Sequence, residues 1–198
     1  MAAKRSYLLA LVFMLFSNAA DAHTGLGHTH GFVQGFAHPL GGIDHVLAMV
    51  AVGLFAAHLG GRALWLVPAS FVGMMMVAGA LGAAGISLPF VETGIAVSVI
   101  ALGLMVAFEM KAPVAAAMGI AAFFALFHGY AHGAEIPKDA SSLAYAAGFV
   151  TATALLHAVG IAIGMGMGRI AAIGGERIVQ LGGCGIALAG AAMLTGLI

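Results

Sequence analysis

The sequence predicts an all-α membrane protein: a bundle of six transmembrane helices behind a cleavable N-terminal signal peptide. Three observations point there. Of 198 residues, 63% are hydrophobic and only 7% charged, against about 25% charged in an ordinary soluble domain. Six apolar segments with short connections follow one another, each covering the roughly 20 residues that a spanning helix needs. Thirty glycines suit membrane helices packed closely enough for their backbones to approach.

Residues 1–22 carry the marks of a secretory signal. Lys4 and Arg5 form a basic start, residues 7–16 an apolar core, and Ala20-Asp21-Ala22 an A-x-A cleavage site. The rival reading, an uncleaved first helix, asks about ten apolar residues to cross a bilayer, which is too few. Cleavage would leave His23 as the new N-terminus, with amine and imidazole able to chelate together. His28 and His30 follow in a glycine-rich stretch, so residues 23–30 read as a periplasmic tail that either collects metal or is simply solvated.

The transmembrane domain, residues 31–198, divides into segments near 31–58, 63–84, 88–108, 112–134, 141–168 and 177–197. Basic residues orient it. Arg62, Lys111, Arg169 and Arg177 fall in one set of loops and only Lys138 in the other. The positive-inside rule then puts both mature termini in the periplasm of a bacterial inner (cell) membrane, as the signal peptide also requires. Apart from the lipid bilayer, composition names no macromolecular partner: a formal net charge of zero speaks for no nucleic acid, and a homo-oligomer stays open. Cys184 is the single cysteine, which excludes a disulfide framework and a thiolate metal cluster. No nucleotide-binding motif is present.

The polar residues are concentrated in two places. In His38-Pro39-Leu40-Gly41-Gly42-Ile43-Asp44-His45, Pro39 removes a backbone donor, and Gly41 and Gly42 weaken any helix. This predicts a helix break whose freed groups face protein or a wet cavity. An Asp at the centre of a membrane helix costs about 2.5–3.5 kcal/mol, so ionisable groups at that depth mark function. In the fourth segment, His128, His132 and Glu135 are spaced i, i+4 and i+7, on one helix face. The topology brings both stretches to the outer level, where Glu92 also begins the third segment. The expected metal ligands are therefore His38, Asp44, His45, His128, His132 and Glu135. His23, His28, His30, Glu92 and His157 are secondary candidates for ligand or pathway roles.

Imidazole with carboxylate is a borderline donor set, suited to divalent Ni, Co, Zn or Cu. Calcium and magnesium prefer oxygen alone, and copper(I) prefers sulfur. Each polar residue also has a plainer reading. A lone intramembrane histidine such as His157, with Thr153 one turn before it, is commonly a hydrogen-bonding residue between helices. His58 reads as interfacial, Glu109 and Lys111 as a solvated pair, and Met74, Met75 and Met76 as packing, since consecutive residues point apart.

The pattern H-P-x-x-G-x-D-H, at His38, Pro39, Gly42, Asp44 and His45, resembles the signature of the HupE/UreJ family of secondary nickel/cobalt permeases. The run F-H-G-x-x-H-G-x-E at residues 127–135 resembles that family's second polar motif. The resemblance extends over the mature chain and implies a transporter rather than an enzyme, with no permanently bound cofactor. It further implies import of Ni(II) or Co(II) as substrate, to supply a metalloenzyme such as hydrogenase or urease. Residue chemistry alone says borderline divalent cation. The rivals are a membrane haem protein using His45 and His58, a metal sensor or chaperone that binds without transport, and an intramembrane metalloprotease, for which H-E-x-x-H is absent.

Overall fold

The computed structural model describes residues 29–136, 141–169 and 174–198. The signal peptide, His23 and His28 lie outside the described residues. Among those described there are seven helices and no strand. They are α1 Thr29–Gly41, α2 Ile43–Leu59, α3 Ala63–Ala83, α4 Val91–Ala107, α5 Val114–Ala134, α6 Ser142–Arg169 and α7 Gly175–Leu194. Because α1 begins at Thr29, His30 belongs to a helix rather than to the tail.

Helices α3, α5, α6 and α7 are long and apolar enough to cross a bilayer. Helix α4, with 17 residues, is apolar and about 25 Å long at 1.5 Å per residue. The first expected segment needs correction. It is not one straight span but two helices meeting at 83°. Pro39 sits inside α1 and lacks the N–H that would bond to the carbonyl of Gly35. The chain leaves helical geometry at a single residue, Gly42, with φ −96° and ψ 115°. The break is thus narrower than the motif predicts.

Pairing follows the glycines. Helix α3 packs along α5, α4 along α7, and α6 along both α1 and α2. At Gly133 on α5 an added Cβ would run into the backbone of Gly79 on α3, and Gly53 on α2 meets α6 at the His157 carbonyl in the same way. These seams bring backbones together and fix the register of the side chains beside them. The core between them is apolar, with Met49, Val52, Phe55, Val67, Phe71, Val99 and Leu102 all buried. Trp65, Phe123, Leu181 and Leu188 are exposed on the outside of the bundle, as befits surfaces that face acyl chains.

The fold matters for one corner of this bundle. The end of α1, the start of α2, the end of α5 and the N-terminal half of α6 meet there, carrying both polar motifs.

Candidate metal centre

His38 ends the α1 arm, which α6 holds through a close backbone approach at Gly35 and Tyr145. Its Nε2 lies 3.0 Å from His132 Nδ1 and 3.0 Å from Glu135 Oε2. Glu135 Oε2 is also 3.5 Å from His132 Nδ1. On the other side of the same ring, His132 Nε2 is 3.1 Å from His45 Nδ1. His45 Nε2 in turn is 3.2 Å from Thr153 Oγ1, whose hydroxyl is directed at Met75 Sδ, 3.9 Å away. The result is a continuous chain of polar groups from four helices and the residue capping α5, ending at the Met75 thioether on a fifth helix.

Exposure falls along it. The side chain of Glu135 is 57% exposed, that of His38 34%, and that of His132 12%, while His45 and His128 are fully buried. Two three-donor sets result, each with its ligand atoms within 4.8 Å of one another: His38, His132 and Glu135 at the rim, and His45, His128 and His132 inside. His132 belongs to both. Donors held at about 2.1 Å from a common ion stand about 3.4 Å apart in a tetrahedron, so modest side-chain rotation closes either set.

Hydrogen bonds select the free lone pairs. The Ser98 hydroxyl donates to the Ile95 carbonyl at 2.6 Å, so its oxygen is left to accept from His128 Nε2–H at 2.7 Å. His128 Nδ1 is then a bare lone pair, buried and without a partner among the described residues. The Thr153 hydroxyl acts alike: directed at Met75, it accepts from His45 Nε2–H and turns His45 Nδ1 toward the cluster. This is how an outer partner presets the tautomer of a ligand. Phe149 forms the wall, its ring 4.7 Å from that of His132, 5.2 Å from His45 and 6.4 Å from His38. A cavity of about 270 Å³, lined by Met75, Gly79, His132, Tyr145 and Phe149 among others, adjoins His132.

Asp44 is not a member of either set. It occupies the first turn of α2, where a carboxylate complements the positive helix end, and it acts through space on His128 and His132. Gly42 leaves room for it: a Cβ there would stand 2.7 Å from Asp44 Oδ1. Glu92 is exposed in the first turn of α4 and also joins neither set. His157 is buried deeper on α6 and His58 is exposed.

A model of the family described as HupE / UreJ protein matches residues 11–193. The chain belongs to the HupE/UreJ family. Protein HupE of Rhizobium leguminosarum bv. viciae is 46% identical to it over 187 residues, covering 94% of this chain and 95% of the relative. No solved structure matches the chain.

In this HupE/UreJ chain, sequence reasoning passed over Ser98, Tyr145 and Phe149 and gave Thr153 only a minor place. A signal was available for three of them. Tyr145, Phe149, Thr153 and His157 recur every fourth residue, which keeps them on one stripe of α6. Ser98, a small hydroxyl in an apolar run, offers no such pattern. For the haem reading, His45 has both nitrogens engaged by His132 and Thr153, and the exposed His58 lies about 20 Å down the same helix.

Proposed function

We propose that this protein is a secondary transporter that carries Ni(II), with Co(II) as the neighbouring ion, inward across the bacterial inner membrane. The reading assigns six crossings, counting α1 with α2 as one bent span, and places both termini in the periplasm. Delivery to a nickel metalloenzyme such as hydrogenase or urease completes it, and family membership supports that assignment.

The observation that carries the proposal is the sharing of His132 between an exposed and a buried donor set. A structural metal site needs one closed set of four ligands, whereas a passage needs incomplete sets that overlap. A hydrated cation first meets Glu135, His38 and His132, exchanging part of its water for one carboxylate and two imidazoles. Moving inward, it exchanges His132 Nδ1 for Nε2 of the same ring and gains the lone pairs of His45 and His128. Asp44, near both His128 and His132, offsets positive charge in a place where water is scarce. An inside-negative potential favours a dication by about 2.3 kcal/mol per charge per 100 mV, so no nucleotide is required.

Uptake of radioactive nickel by cells expressing the chain tests this. Parent cells should accumulate the ion, and His38→Ala, Asp44→Ala, His45→Ala and His132→Ala should each abolish accumulation while the protein still inserts. Parental accumulation by those variants would overturn the assignment. A haem-type absorption spectrum of the purified protein would instead favour the haem reading.

A further inference from the structure

One more imidazole lies below the centre, and neither donor set uses it. His157 is 1% exposed, and neither of its ring nitrogens has a partner among the described residues. A neutral imidazole carries one N–H donor and one lone pair, and leaving both unpaired in a dry interior is unfavourable. Nothing in the backbone relieves this. Helix α6 is pressed against α2 at this level, where Gly53 and Gly160 let the two backbones touch, so His157 is held in place.

Two side chains connect His157 to the centre above. Thr153, one turn earlier on the same stripe of α6, holds His45 by its hydroxyl and faces the Met75 thioether. Phe71, one turn from Met75 on α3, packs its ring against both His128 and His157, at centroid separations of 5.9 and 5.5 Å. The buried trio and His157 are therefore neighbours across one aromatic ring. Around them the core is apolar, with Met49, Val52 and Val67 fully buried. An imidazole reached past a hydroxyl and a thioether suits a borderline divalent transition metal, and offers a cation that prefers oxygen little.

We propose that His157 is a second, deeper station for the transported cation, entered from the His45–His128–His132 trio past the ring of Phe71. It rests on the transport reading above and extends it by one step. Thr153 and Met75 line the step, and His157 receives the ion after the trio releases it.

The test uses the full chain in proteoliposomes, with Ni(II) binding and Ni(II) uptake measured separately. His157→Phe keeps an aromatic ring against Phe71 and removes both nitrogens. Its Ni(II) affinity should match the parent's while uptake falls about tenfold or more, as expected when a group on the ion's path is lost. Uptake within twofold of the parent, set against that tenfold expectation, overturns the proposal. His157→Cys, in a Cys184→Ser background, guards against a fold defect because its readout is a ratio. A thiolate station favours soft ions, so uptake of Cd(II) relative to Ni(II) should rise several-fold, and an unchanged ratio counts against the station. Failure of the parent to bind or move Ni(II) would instead reject the transport reading itself.

Discussion

The Nε2 atom of His132 lies 3.1 Å from Nδ1 of His45, on a different helix and 87 residues away in sequence. A neutral pair holds one proton between these atoms, and a cation bound by both must displace it. A proton displaced from His132 Nε2 can be carried at Nδ1 of the same ring, where Glu135 Oε2 stands 3.5 Å away as an acceptor. On the transport reading, Glu135 thus serves the buried set as well as the rim.

It follows that Glu135→Gln, which keeps the shape and removes the charge, should weaken Ni(II) binding about tenfold, the usual loss when a partner behind a ligand is removed. Calorimetric titration of the purified protein measures this. Affinity equal to the parent's would show that the proton leaves by another route.

Ser98 makes a second case. Ser98→Ala leaves His128 Nε2–H without its acceptor and frees the ring to adopt the other tautomer. Binding should weaken about tenfold. Stability should drop by about 1–3 kcal/mol for the unpaired buried group. Ser98→Thr, which retains the hydroxyl, should recover the binding loss, and titration of the two variants side by side decides it.

The seam between α3 and α5 positions His132 through its neighbour. In Gly133→Ala the new methyl meets the Gly79 backbone, and overpacking of this kind costs about 1–3 kcal/mol. Thermal unfolding in detergent should show the loss, accompanied by reduced uptake. Gly119→Ala, on the same helix with nothing within 4 Å of the new atom, serves as the control and should leave both unchanged.

Uptake should respond to voltage. In proteoliposomes without nucleotide, an imposed inside-negative potassium diffusion potential should accelerate Ni(II) entry, and an inside-positive one should slow it. Rates indifferent to the sign of the potential would exclude uncompensated movement of a dication.

Much of this architecture was legible in the residues. Apolar runs bounded by Gly, Pro and charge placed the helices to within a few positions, because hydropathy over twenty residues is a strong signal. The i, i+4 spacing of His128 and His132 put them on one face, where the structure has them. Other features were not readable. The 83° turn depends on one residue adopting extended geometry, and a Pro-x-x-Gly string is equally consistent with a wider unwound loop. Ser98 and Phe149 act through contacts made by distant helices, and a hydroxyl or an aromatic in an apolar run looks like packing. Glu92 shares the level of the site, yet level says nothing about azimuth, and the residue is exposed and joins neither donor set.

The turn at Gly42 also divides labour between two levers. His38 rides on α1 and His45 on α2, joined by a single non-helical residue. Backbone contact between Gly35 and Tyr145 ties α1 to α6, and contact at Gly53 ties α2 to the same helix further along. The two histidines of one short motif are thus anchored at separate points of a single long helix, and a change at either seam should disturb one donor set more than the other.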